Sequence, residues 1–208
     1  TSAEFKQFVR KNVFGNSAIW VLAIANFFVY IVRYAVLDWG PTLLGEWKGV
    51  SIHHAGWMVA AFEISGIVGM LVAGWATDRF FGGRGPRVCV ICMALATVFV
   101  ALFWGISQPP MWLATLLLGA AGFCIYGPQA LVGIAAANIA TKKAAATAVG
   151  FTGLFGYAST LVSGWGLGLL AQHYGWNIAV GALILIAIMG TLIFMAAWSA
   201  KANGYDND

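Results

Sequence analysis

The sequence predicts an all-α membrane protein in which six transmembrane helices form one bundle. Three observations lead to this fold class. Of the 208 residues, 61% are hydrophobic and 9% are charged, the mean hydropathy is +0.85, and long apolar runs alternate with short turn-forming segments. A soluble domain carries about 25% charged residues. This chain cannot cover a soluble surface with polar groups, so we expect the lipid bilayer to surround it.

Six apolar runs reach the length of about 20 residues that a helix needs to cross the hydrocarbon core. Because backbone groups in lipid have no water to bind, each run should be helical. The segments between them contain Gly, Pro or charged residues, as turns do. The predicted spans are residues 17–40, 54–77, 87–106, 110–139, 144–171 and 177–198.

The basic residues predict the orientation of the chain. Nine of the eleven Lys and Arg residues fall on one side of the predicted membrane, whereas Lys48 lies on the other side and Arg33 lies inside a span. Those nine are Lys6, Arg10, Lys11, Arg79, Arg84, Arg87, Lys142, Lys143 and Lys201.

By the positive-inside rule, both termini are therefore cytoplasmic. Residues 1–16 and 201–208 are a cytoplasmic linker and tail around a bundle at 17–200. The net charge of +4 follows from this topology, so it does not indicate binding to nucleic acid.

The first span contains polar groups that need an explanation. Asn26, Tyr30 and Arg33 are spaced i, i+4 and i+7, which places them on one helical face at about 100° per residue. A guanidinium beside an amide and a phenol is a plausible receptor for phosphate or carboxylate. The alternative is that Arg33 snorkels to the headgroups, and its depth decides between the two. Asp38 lies about 140° around the helix from Arg33, so it should contact a neighbouring helix.

The second span contains a carboxylate, Glu63, among apolar neighbours. A carboxylate at that depth must pair, become protonated or face water. We expect it to pair with a basic group on another helix, and proton coupling is the alternative. Small residues at helical spacing, Gly66 and Gly69 here and Gly150, Gly153 and Gly156 in the fifth span, permit close packing or a flexible helix along a moving pathway.

The fourth and fifth spans each contain a tyrosine, Tyr126 and Tyr157, whose hydroxyl should find a partner at depth. Pro128 should kink the fourth span because its ring removes a backbone hydrogen bond.

The motifs of enzymes are missing from the sequence. Cys89 and Cys92 have redox or zinc spacing without a second pair, so with Cys124 they are interpreted as buried thiols. The glycine-rich FGGRG is followed by neither Lys-Ser nor Lys-Thr and is not a phosphate-binding loop. No nucleophile–base pair or metal site stands out, so we expect neither catalysis nor a cofactor.

One loop and a longer series of segments resemble known families. GWATDRFFGGRGPR, residues 74–87, is similar to the signature loop of the major facilitator superfamily, with Asp78 and Arg79 as its acid–base pair. Breaking contacts of Asp78 at a helix end would let two halves of a transporter rock. The segments NFFVYIVRYAVLDWGPT, FEISGIVG, IYGPQALVGIAAANIATKKAAATAVGFTGLFGY and YGW resemble the C-terminal half of the organophosphate:phosphate antiporters.

This resemblance implies a twelve-helix fold of which the chain is the second six-helix half, located in a bacterial inner membrane. It also implies exchange of an organic phosphate for inorganic phosphate. The Arg33 position would bind the phosphoryl group together with an Arg of the first half, and Tyr30, Tyr126 and Tyr157 would face the cavity. Glu63 and Asp38 would form salt bridges to the first half. The chain alone should therefore not transport.

One branch of the same family senses external sugar phosphate and signals to a histidine kinase without transporting. The segments LDWG, FGGRGP and GPQ…GIAAA resemble that branch, whereas FTGLFGY resembles the transporters. The sequence therefore leaves the sensor as an alternative function.

Overall fold

The computed structural model describes residues 2–201, which are helical almost throughout and include no β-strand. The α-helices are α1 (Ser2–Val9), α2 (Ser17–Lys48), α3 (Ile52–Phe80), α4 (Gly85–Gly105), α5 (Met111–Ala158), α6 (Leu167–Tyr174) and α7 (Trp176–Met195), with π-helical turns at Arg10–Phe14 and Val162–Gly166. The predicted tail beyond residue 201 lies outside the described residues.

Five helical stretches are long and apolar enough to cross a membrane within the described part of the chain, and one of them, Met111–Tyr174, has 64 residues. At 1.5 Å per residue it would be about 96 Å long if straight, far more than a bilayer requires. It is broken at Thr141, where φ is 69° and ψ is 167°.

The two arms of α5, residues 111–140 and 142–158, fold back on each other at this break. A Cβ placed on Gly133 would lie 3.9 Å from a methyl group of Val149, although 16 residues separate the two positions. The break thus divides the long stretch into two crossings. The prediction of a six-helix membrane bundle is confirmed.

Helix α2 is longer than the sequence predicted, because it continues past Pro41 to Lys48. Gly49 ends it with φ of 68°, and the amides of Gly49 and Val50 donate to the carbonyls of Gly45 and Leu44 at 3.1 Å. This glycine cap satisfies carbonyls that the end of a helix leaves open. Arg33 consequently lies 16 residues after Ser17 and 15 before Lys48, at the middle of the helix.

Glycines bring α3 against the first arm of α5. A methyl group added at Gly69 would collide with the carbonyl of Phe123, and one added at Gly122 would collide with the carbonyl of Phe62. Close packing is therefore the role of Gly69, as small residues allow. Of the three glycines at helical spacing in the fifth span, Gly156 makes such a contact, whereas a Cβ on Gly150 or Gly153 would enter open space.

The segment expected as a linker packs on the bundle. Val9 and Val13 are buried in the main core cluster, and the ammonium of Lys143 lies 5.4 Å from the ring centroid of Phe8. The core itself lies between α2, α3, α4, both arms of α5 and α7.

Candidate functional site

Arg33 is held at the middle of α2 by groups from two other elements. Its Nη2 donates to the Tyr126 hydroxyl at 3.0 Å and lies 3.7 Å from Oε2 of Glu63. The guanidinium carbon is 5.3 Å from the ring centroid of Tyr34 and 4.9 Å from that of Tyr126. The side chain is 16% exposed. It reaches neither end of the helix, so the snorkelling alternative does not describe this geometry.

Tyr126 joins the two charges. Its hydroxyl donates to Oε2 of Glu63 while accepting from Arg33. The ring fits against α3 because residue 66 is glycine, since a methyl group there would collide with the ring. Glu63 on α3 therefore pairs with Arg33 on α2 of the same bundle. Tyr126, on the first arm of α5, bridges the two charges.

Several atoms around this cluster have no hydrogen-bond partner within residues 2–201. They include Nε of Arg33, Oε1 of Glu63 and Oε1 of Gln129, and all three are buried atoms. A guanidinium offers five donors in a planar fork, and an unsatisfied buried donor is unfavourable by about 1–3 kcal/mol. The arrangement leaves a cation with open donor capacity, which an anion with planar or tetrahedral oxygens could fill.

A row of tyrosines borders the cluster. The ring centroids of Tyr30 and Tyr34 are 5.6 Å apart, and those of Tyr30 and Tyr157 are 6.0 Å apart. Tyr157 is 64% exposed, so this edge is open. Sequence reasoning missed Tyr34, although its i+4 spacing from Tyr30 places the two on one face.

Asn26, a predicted site residue, is buried against the second arm of α5 and does not contact the Arg33 side chain. It is 3% exposed, and its Nδ2 donates to the carbonyl of Thr152 at 3.0 Å. A Cβ on Gly156 would lie 2.9 Å from that nitrogen. The Asn26 amide thus fastens α2 to the second arm of α5, one turn away from Tyr30.

Among the other charged residues that the resemblance singles out, Asp78 and Arg79 lie in the last turn of α3, and Asp38 lies ten residues before the end of α2. Asp38, Asp78 and Arg79 are exposed, and none of them forms a hydrogen bond or ion pair with another residue in the range 2–201. Asp78 borders a polar cavity of about 210 Å³ with Thr77 and Asn138. The structure does not bring these three residues to the Arg33 cluster.

The described residues contain no group of three or more His, Cys, Asp or Glu side chains arranged to hold a metal ion. Cys89 and Cys124 are buried, Cys92 is half-buried, and all three are free thiols.

Comparison with known proteins gives a family and a set of relatives. The family model of the Major Facilitator Superfamily matches residues 5–204. A probable hexose phosphate transport protein of Chlamydia pneumoniae is 40% identical over 189 residues, which are 90% of this chain and 42% of that protein. The glycerol-3-phosphate transporter of Haemophilus influenzae is 36% identical over 210 residues, 91% of this chain and 44% of the relative.

The hexose-6-phosphate:phosphate antiporter of Escherichia coli is 34% identical over 191 residues, 88% of this chain and 40% of that protein. The chain thus spans less than half the length of these relatives. The predicted resemblance to the organophosphate:phosphate antiporters is confirmed by their names.

Proposed function

The chain belongs to the major facilitator superfamily, and from that premise we propose that it is the second six-helix half of an antiporter. The antiporter exchanges a phosphorylated small metabolite for inorganic phosphate by alternating access. One observation carries the proposal: Arg33 is fixed at the middle of α2 with a buried Nε that has no partner within residues 2–201. Membrane transporters of this kind bind substrate near the midplane, between their halves.

Arg33 binds the phosphoryl group in this proposal. A guanidinium stays charged and matches phosphate oxygens with a bidentate fork, which a lysine ammonium cannot do. Tyr30, Tyr126 and Tyr157 border the bound anion, and Asn26 contributes by fixing α2 against the second arm of α5. The other half of the site, including a second cation, belongs to the N-terminal six-helix half of the transporter.

Glu63 makes the Arg33 site responsive to its ligand. Its Oε2 lies 3.7 Å from Arg33, so an arriving phosphate and the carboxylate compete for the same guanidinium. Release of Glu63 then frees it to pair elsewhere, which links binding to movement of the halves. Asp38, Asp78 and Arg79, exposed and unpaired within the described range, supply the charges for contacts that form and break between the halves.

The protein is located in a bacterial inner membrane with both termini in the cytoplasm. Nine Lys and Arg residues are predicted on one side of the membrane, and the positive-inside rule assigns that side to the cytoplasm. Its work is translocation without a chemical change, so it is not an enzyme and needs no cofactor.

A second candidate function is a membrane sensor that binds external sugar phosphate and signals to a histidine kinase. The segments LDWG and FGGRGP favour it, because they resemble the sensor branch of the family. The sensor would use the same Arg33 cluster to bind its ligand but would not translocate it.

Counterflow in proteoliposomes tests the proposal. The complete transporter that contains this chain is reconstituted with inorganic phosphate inside, and uptake of radiolabelled glucose 6-phosphate, glycerol 3-phosphate and glucose is followed. We expect uptake of at least one phosphate ester and none of glucose, and uptake should cease when the internal phosphate is omitted. Saturable binding of an ester without any uptake would replace the antiporter with the sensor, and the absence of binding would contradict both.

A further inference from the structure

Two cavities that the transport site does not use lie at successive levels along a seam between α3 and the first arm of α5. One, of about 400 Å³, lies at the end of the bundle where α2 ends and α3 begins, and its polar lining comes from Lys48, Ser51 and His54. The other is an open groove of about 560 Å³ that continues along the same two helices, with α4 as its second wall.

The first cavity contains a cation with donor capacity to spare. The Lys48 ammonium lies 3.9 Å from the ring centroid of Trp47 and 5.3 Å from that of Phe103. It donates one hydrogen bond, to the carbonyl of Ile106 at 2.6 Å. No carboxylate within residues 2–201 pairs with it. Two of its three donors therefore remain for an anion in the cavity.

The groove is lined mainly by carbon atoms, because its two hydroxyl groups form hydrogen bonds with backbone carbonyls. The Ser65 hydroxyl oxygen lies 2.7 Å from the carbonyl oxygen of Ala61 and 2.6 Å from that of Gly119, and its one proton is shared between these acceptors. The Thr115 hydroxyl donates to the carbonyl of Met111 at 2.8 Å. The remaining walls are apolar, among them Leu116, which is 60% exposed. The groove therefore offers an apolar lining with no free hydroxyl donor from Ser65 or Thr115.

The groove opens away from the transport site. Ala61 and Ser65 each lie two residues from Glu63, which places them about 160° around α3 from that carboxylate. From His54 to Ser65, α3 rises about 16 Å at 1.5 Å per residue. That is close to half of the ~30 Å hydrocarbon core, the depth of one leaflet.

We propose that this seam is a phospholipid-binding site, in which Lys48 binds the phosphate of an anionic glycerophospholipid and one acyl chain lies in the groove. The charge at the head of the seam complements the phosphodiester, and the length and apolar lining of the groove match a chain that reaches the midplane. In the topology proposed above, the lipid belongs to the outer leaflet. Lys48 is the one basic residue predicted for that side of the membrane.

Native mass spectrometry of the full chain in detergent, titrated with dioleoyl phosphatidylglycerol, tests this site. We expect Lys48→Met to weaken binding of the first lipid about fivefold, the effect of one cation near a phosphate at the membrane surface, and Lys48→Arg to restore it. Ala120→Phe, which places a ring in the groove, should weaken binding about threefold through lost packing. Ala101→Phe, on another face of α4, is the matched control and should bind like the wild type.

Circular dichroism confirms that each variant is folded before titration. Wild-type affinity in both Lys48→Met and Ala120→Phe would overturn the proposal. Displacement of the lipid by glycerol 3-phosphate or inorganic phosphate would show a site for free anions, and a dimer peak in place of the lipid-bound monomer would show that a second copy covers the groove. Either result would also overturn it.

Discussion

At the scale of single residues, Tyr126 determines how the charges of the site are arranged. It accepts from Arg33 and donates to Glu63, so one hydroxyl satisfies a cation and an anion from different helices. Hydrogen bonds to charged groups stabilise proteins more than neutral ones do. The side-chain carboxylate of Glu63 is 30% exposed, and this exposure reduces the contribution of the pair.

Tyr126→Phe removes the hydroxyl and keeps the ring. We expect the free energy of unfolding to fall by about 1 kcal/mol, because both charged partners lose a hydrogen bond. Unfolding in detergent followed by circular dichroism measures the change. Tyr174→Phe is the matched control, since Tyr174 is 70% exposed and should be neutral. Equal stabilities for Tyr126→Phe and the wild type would show that the bridge contributes nothing.

The polar face of α2 shows what sequence can predict at this scale. The i, i+4, i+7 spacing correctly places Asn26, Tyr30 and Arg33 along one stripe, but it cannot tell which part of the stripe is covered. Residues distant in sequence decide this. Thr152 covers Asn26, whereas Tyr126 and Glu63 leave part of Arg33 open. Such contacts bridge 30 to 126 positions, beyond the range of any local periodicity.

At the scale of helices, the paired glycines of the bundle have different environments. A methyl group at Gly69 would overlap the carbonyl of Phe123, whereas one at Gly153 would meet nothing within 4 Å. Both positions belong to helices, so alanine is favoured over glycine by local propensity at each.

The two positions make a matched pair of substitutions. Gly69→Ala should lower the free energy of unfolding by about 1–3 kcal/mol, because the overlap forces α3 and α5 apart. Gly153→Ala should raise it by about 0.5–1 kcal/mol through helix propensity. Thermal unfolding of both variants in the same detergent compares them. If Gly69→Ala is as stable as Gly153→Ala, the close approach of α3 and α5 is wrong.

The break in α5 depends on one unusual residue. Thr141 has a φ of 69° and a ψ of 167°. Glycine adopts this conformation readily, whereas for other residues it is unfavourable by about 1–3 kcal/mol. Its hydroxyl is buried without a partner within the described residues. The chain reverses direction at a position that carries strain.

Thr141→Gly should relieve that strain and raise the midpoint of thermal unfolding, by an amount that corresponds to about 1 kcal/mol. Ala146→Gly, at an exposed position in the following helix, is the control and should lower the midpoint by a similar amount because of helix propensity. A lower midpoint for Thr141→Gly would indicate that residue 141 has an ordinary backbone conformation.

Apolar runs predicted the number and approximate position of the helices because length and hydropathy are local properties. The end of α2 was not predicted correctly. Proline normally ends a helix, but α2 passes Pro41 and ends at the glycine cap of Gly49. The helix is thus longer than predicted by about two turns, which places Arg33 at its middle, the fact on which the proposed role of Arg33 depends.

At the scale of the whole molecule, the distribution of charge predicts which end faces the cytoplasm. Ser107 and Lys201 lie at opposite ends of the bundle, and the three native thiols are buried or half-buried. With the proposed orientation, a membrane-impermeant maleimide added to intact cells should label Ser107→Cys and spare Lys201→Cys until the membrane is permeabilised. The wild type should remain unlabelled. The opposite pattern would reverse the topology.

The central claim is that Arg33 binds the transported phosphate. Phosphate exchange in proteoliposomes that carry the complete transporter tests it with Arg33→Lys, which keeps the charge and loses the planar fork. We predict that kcat/KM for phosphate falls at least about tenfold, the loss expected for a charge-assisted bidentate contact. Arg10→Lys, at an exposed position away from the site, should exchange like the wild type. Unchanged kcat/KM in Arg33→Lys would contradict the account.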